Sequence, residues 1–137
     1  MKDTQLEITW TVLTAIVVTI LAALSTQALM NIETIPDNAK VIKVEASQWQ
    51  WQFTYPNGTK ALDELVLSKG EPVVFLLNAR DVDHSFNIHD LGVKIDAIPG
   101  HTTRTWTTPE KEGVYIAQCT EFCGLAHSRM RAKVIVK

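Results

Sequence analysis

The sequence has no Lys/Arg run and no basic excess: 13 Lys and Arg face 15 Asp and Glu, for a formal charge of −2. That excludes the electrostatic footprint of a nucleic-acid-binding protein, and no nucleic acid is expected as a partner. Internal repeats and low-complexity segments are missing, and 137 residues leave no room for two catalytic domains. Cysteine is scarce, with only Cys119 and Cys123. Charge is missing altogether from Ile8 to Ile32.

That last absence sets the class of protein. About 20 predominantly apolar residues cross a bilayer's hydrocarbon core, and Ile8–Met30 supplies them, with Val, Leu, Ile and Ala dominating. The Thr and Ser within it can bond back to the carbonyl one turn earlier. A cleaved signal peptide would carry a shorter apolar region and a basic start, whereas Lys2 is offset by Asp3 and Glu7. A buried core helix would show a polar stripe. The reading is a retained single membrane helix within residues 1–32, whose orientation is barely encoded because Lys2 and the terminal amine are the only cations before it.

Residues 33–39, with Pro36, read as a linker, and residues 40–137 as one domain. Short-period alternation predicts strands at Val41–Glu45, Trp49–Tyr55, Val73–Leu77, Thr103–Thr107, Val114–Ala117 and Lys133–Lys137. Turn signals fall between them at Pro56-Asn-Gly58, Gly70-Glu-Pro72, Pro99-Gly100 and Glu112-Gly113. The fold class is therefore mainly β, an antiparallel sandwich or barrel with Greek-key connections behind one N-terminal helix.

The most informative stretch runs from Gln118 to Met130, a loop between a strand ending near Ala117 and one starting near Ala132. It holds Cys119, Cys123, His127 and Met130, and His84 stands at the end of another expected strand. Each has a plain alternative: the cysteines could form a disulfide, the methionine could fill the core, and the histidine could be solvated. A disulfide needs neither His127 nor Met130. Zinc could use two Cys and two His but would leave Met130 idle. A mononuclear blue-copper site needs only one Cys. Two thiolates bridging two copper ions use the whole set, since thiolate and thioether select copper and imidazole suits it.

The pattern His84…Cys119-Thr-Glu121-Phe-Cys123-Gly-Leu-Ala-His127-Ser-Arg-Met130 resembles that of subunit II of respiratory cytochrome c oxidases. Arg80-Asp-Val-Asp-His84-Ser-Phe, Gly92–Gly100 and Trp49-Gln-Trp51 resemble further segments of that family in the same order. The resemblance implies a cupredoxin-like domain with a dinuclear copper centre, CuA. Both thiolates would bridge, His84 and Met130 would complete one copper, and His127 with the Glu121 carbonyl the other. It implies that Trp49, with Trp51 beside it, admits electrons from cytochrome c or a similar donor, and that haem-bearing subunit I reduces the oxygen. Glu7 occupies the position of a glutamate at a proton-channel entrance, although it also reads as an interfacial charge beside Trp10. Glu121 has a second candidate role in binding Mg²⁺ shared with subunit I.

The chain departs from the family in having one membrane span where many members have two, as in compact oxidases related to the ba type. Thr14 and His101 replace a frequent Pro and Arg, and His89 reads as loop surface. The implied location is a bacterial or archaeal cell membrane, with the C-terminal domain on the outer side. A tethered copper carrier and a copper-free quinol-oxidase subunit are the competing functions. The helix motif argues against the first and the intact ligand set against the second.

Overall fold

The computed structural model describes residues 2–137, which form two compact units divided between Ile35 and Pro36. The first unit is one helix, α1 (Lys2–Glu33), of which Asp3–Glu33 is long and apolar enough to cross a membrane. Leu6, Leu13, Ile16, Val17, Ile20 and Leu24 are all exposed, so the helix is apolar around its circumference, as a surface facing lipid or other helices requires. The hydroxyls of Thr9, Thr14, Thr19 and Thr26 donate to the carbonyls of Gln5, Trp10, Ala15 and Ala22 at 2.7–2.8 Å. These polar atoms are thereby satisfied within the helix itself.

The second unit contains ten strands: β1 (Lys40–Ser47), β2 (Gln50–Thr54), β3 (Lys60–Leu62), β4 (Glu64–Leu67), β5 (Val73–Ala79), β6 (His84–Ile88), β7 (Val93–Ala97), β8 (Thr103–Thr107), β9 (Gly113–Cys119) and β10 (Arg131–Val136). They build two five-stranded sheets, β3-β2-β1-β5-β8 and β4-β10-β9-β6-β7. Alternation produces the layers: Ile42, Val44 and Ala46 of β1 are buried, while Val41 and Lys43 are exposed. Between the sheets, Phe86 meets Trp51 edge-on at 5.0 Å and Phe75 at 5.6 Å, and lies tilted against Phe53 at 6.0 Å. This aromatic cluster sits directly behind β6 and fixes the strand that carries His84.

The mainly β sandwich expected from the pattern is present, with two corrections. The sheets are mixed rather than antiparallel. β1 runs parallel to β5, with Lys40 opposite Val73, and β10 parallel to β4, with Lys133 opposite Glu64. Parallel neighbours cannot be joined by a tight hairpin, and in both pairs the chain visits the other sheet before returning beside the earlier strand. Second, His84 opens β6 rather than ending a strand. Nor does alternation predict β3, β4, β6 or β7: β3 and β4 have 3 and 4 residues, and β6 buries His84, Ser85, Phe86 and Ile88, which removes the two-residue period.

Candidate metal centre

Strand pairing brings the distant ligand to the loop. β6 lies antiparallel to β9 with Phe86 opposite Cys119, so the start of β6 meets the end of β9. The loop from Thr120 to Met130 leaves β9 and returns as β10, and the Cys119 N–H donates to the Met130 carbonyl at 3.1 Å, closing its base. A 3₁₀ turn over His127–Arg129 folds the far end inward.

The six donors expected from the sequence converge. The Sγ atoms of Cys119 and Cys123 are 3.5 Å apart, and both are free thiols in buried positions. His84 Nδ1 lies 3.8 Å from Cys119 Sγ, and His127 Nδ1 lies 3.5 Å from Cys123 Sγ. Met130 Sδ is 3.7 Å from Cys123 Sγ, and the Glu121 carbonyl oxygen is 3.1 Å from Cys119 Sγ. His84 and Met130 are fully buried. Glu121 is exposed, and it is its backbone carbonyl that approaches Cys119.

Burial pushes the Cys119 thiol up, but hydrogen bonds with His84 and with the Ser85 and Glu121 backbone outweigh it and hold the thiol at about 6. Burial and the neighbouring Cys119 together push Cys123 up to about 12. The first thiol ionises readily; the second needs an opposing positive charge beside it. Two thiols, two imidazoles and a thioether therefore fit a soft cation that deprotonates both sulfurs on binding. His84 Nε2 is 2.8 Å from Asp81 Oδ1. Burial pushes the imidazole's pKa down, yet Cys119 and Asp81 outweigh it and raise it. Burial likewise pushes the Asp81 carboxyl up, but His84 and the Gln48 and Val82 N–H groups hold it below its ordinary value.

Two residues of the turn between β1 and β2 reach this loop. The Gln48 side-chain amide donates to the Cys123 carbonyl at 2.8 Å, and the Trp49 indole N–H donates to the same oxygen at 3.2 Å. Trp49 remains 38% exposed. Trp51 lies in the core, fully buried, with its ring edge-on to His84 at 6.2 Å, so it offers no surface to a donor. Phe122 and Leu125 of the ligand loop are 76% and 98% exposed, and they add apolar surface to the loop that Trp49 contacts. Gly124 has φ +115°, and a Cβ there would stand 2.9 Å from Gln48 Nε2. Glu7 is exposed on α1, in the other compact unit, and His89 is exposed in a 3₁₀ turn.

Three contributors are not evident in the sequence: Asp81, Gln48 and Gly124. The i, i+3 spacing of Asp81 and His84 offers a signal, because a carboxylate close before a ligating histidine is a recurrent outer partner. Gln48 and Gly124 offer none, since their contact depends on how the two loops meet.

The family profile for the periplasmic domain of cytochrome c oxidase subunit II matches residues 58–137. The probable cytochrome c oxidase subunit 2 of Rickettsia prowazekii is 38% identical over 147 residues, covering 91% of this chain and 47% of that protein. This chain spans about half the length of the curated relatives it matches. Among solved structures, the periplasmic domain of subunit II of cytochrome oxidase of Bradyrhizobium japonicum aligns with a TM-score of 0.72 and 29% identity, over 76% of this chain and 88% of that one. A chain of a heme-copper terminal oxidase dimer aligns at 0.62 with 25% identity, over 90% and 97%.

Proposed function

The chain belongs to the cytochrome c oxidase subunit II family, and on that premise we propose that it is the electron-accepting subunit of a haem–copper terminal oxidase. Its role is to take electrons from cytochrome c or a similar donor and deliver them to haem in subunit I. Subunit I then reduces oxygen to water with proton translocation. When bound, two copper ions would supply a one-electron carrier at this site.

The chain's own residues make that carrier possible. Cys119 and Cys123 would serve both metals, with His84 and Met130 completing the donor set of one and His127 with the Glu121 carbonyl that of the other. Strands β6 and β9 hold His84 and Cys119, the loop closed by the Cys119–Met130 hydrogen bond holds the rest, and His84, Cys119, Cys123 and Met130 are buried, an arrangement that would limit movement of the donors on a change of oxidation state. Small rearrangement favours fast transfer. Trp49 receives the electron: its indole is partly exposed and bonded to the Cys123 carbonyl. α1 anchors the chain in a bacterial cell membrane with the β domain on its outer side. Glu7 serves the entrance of a proton channel into subunit I, and the exposed Glu121 carboxylate is available to a Mg²⁺ shared with that subunit.

The convergence of two buried thiols 3.5 Å apart with four further donors carries this reading. It is tested by purifying the full chain in detergent with copper. Two coppers per chain, with an EPR hyperfine pattern shared equally by both, are expected; one copper per chain would overturn the dinuclear assignment. Co-purification with a haem-bearing subunit tests the partner.

A further inference from the structure

His84 is completely buried, and its two ring nitrogens face different groups. Nδ1 faces the thiols, 3.8 Å from Cys119 Sγ, and Nε2 faces Asp81 Oδ1 at 2.8 Å. A neutral imidazole has one N–H and one lone pair, and the partner of one nitrogen decides which atom holds which. A carboxylate only accepts, so the hydrogen belongs on Nε2 and the lone pair on Nδ1. Asp81 is itself held on several sides: Oδ1 also accepts the Val82 N–H at 2.7 Å, and Oδ2 accepts the Gln48 N–H at 2.7 Å. Its orientation is thus set by the backbone of two segments, one of which carries Trp49. His127 differs: its ring lies tilted against exposed Phe122 at 5.7 Å, where His84 has a carboxylate.

We propose that Asp81 is a positioning residue for the metal centre: its carboxylate fixes His84 in the Nε2–H tautomer, presents the Nδ1 lone pair to the thiols, and ties that ring to the turn bearing Trp49. The two histidines of the centre are therefore unequal: each lies against an aromatic ring, Trp51 for His84 and Phe122 for His127, and His84 is in addition backed by an anion. The anion makes His84 the stronger electron donor and stabilises the oxidised, more positive state of any metal it binds. This proposal rests on His84 being a copper ligand.

The test uses the full copper-loaded chain in detergent and compares the wild type with Asp81→Asn and Asp83→Asn. Asp81→Asn is nearly isosteric and removes the charge at the hydrogen bond, whereas Asp83→Asn removes an exposed charge two residues away. The expected result is two coppers per chain in all three and a reduction potential raised in Asp81→Asn, with a smaller shift in Asp83→Asn. Equal shifts in the two variants, or none in Asp81→Asn, would overturn the proposal. Nitrogen-15 NMR of the histidines in the metal-free wild type, at a pH high enough for the His84 imidazole to be neutral, decides the tautomer even if Asp81→Asn loses copper. Hydrogen on Nε2 of His84 is expected, and hydrogen on Nδ1 would overturn it. A wild type that binds fewer than two coppers but retains the Nε2–H tautomer would refute the copper reading and leave the hydrogen-bond geometry standing.

Discussion

The indole N–H of Trp49 and the side-chain amide of Gln48 share one acceptor, the Cys123 carbonyl, at 3.2 and 2.8 Å. A partly exposed aromatic ring is thereby bonded to the backbone of a buried thiol residue, Cys123. Trp49→Phe keeps an aromatic ring and deletes the N–H. We expect unchanged copper content and transfer from a reduced donor slowed by about tenfold, equivalent to ~1.4 kcal/mol of added barrier. Stopped-flow mixing with cytochrome c measures it, and an unchanged rate would remove Trp49 from the route.

The thiols and the carbonyl differ in what a substitution removes. Cys119→Ser takes away a sulfur proposed to serve both metals and is expected to abolish two-copper loading. Glu121→Gln leaves the carbonyl in place, because only the backbone faces Cys119, and is expected to retain both metals. Metal analysis of the two variants checks both, and copper loss in Glu121→Gln would assign a role to its carboxylate.

Gly124 occupies a backbone conformation that side chains rarely adopt, at φ +115°, and a Cβ would press on Gln48 and Trp49. Gly124→Ala should cost about 1–3 kcal/mol locally and displace the indole. The expected readouts are altered tryptophan fluorescence and weaker copper retention under a chelator, with the β-sheet circular dichroism preserved.

The metal-free, reduced chain should respond to pH through its two thiols. Cys119 is lowered from 9.0 to about 6, so it adds stability that is fully present above 9.0 and is lost as pH falls through about 6. Cys123 is raised from 9.0 to about 12, so its contribution is present below 9.0 and lost as pH rises towards 12. Ultraviolet thiolate absorbance should therefore rise in two well-separated steps. In denaturant unfolding, the stability gain between pH 6 and 9 should be absent from Cys119→Ser; its persistence there would assign that gain to other groups.

Phe86 joins the core to the ligand strand through ring contacts with Trp51, Phe53 and Phe75. Phe86→Ala is expected to destabilise the β domain by about 3–5 kcal/mol. Measured by denaturant unfolding, a loss below ~1 kcal/mol would show that the surrounding aromatics collapse into the gap.

The site is more legible in the sequence than the sheets that hold it. Cys119, Cys123, His127 and Met130 lie in one loop, so their spacing survives in a linear reading. His84 is recognisable by type, but its arrival depends on β6 pairing with β9, which no local pattern encodes. β1 and β10 alternate visibly because one face is buried and the other solvated. β6 is buried on both faces and does not. Parallel pairing of β1 with β5 joins segments far apart in sequence, and alternation alone carries no sign of strand direction. Asp81 is hidden in Arg80-Asp-Val-Asp83, where two acidic side chains look alike until one is seen to accept from Gln48, Val82 and His84.

The hydrogen bond from Cys119 N–H to Met130 carbonyl seals the loop at its neck. The register of β9 and β10, from Gln118 opposite Arg131 to Gly113 opposite Val136, is set outside the loop. Four of the five donor side chains thus travel as a portable cassette. A host sandwich lacking a metal would need only this insert and a histidine at the head of the adjacent strand to acquire the same donor set.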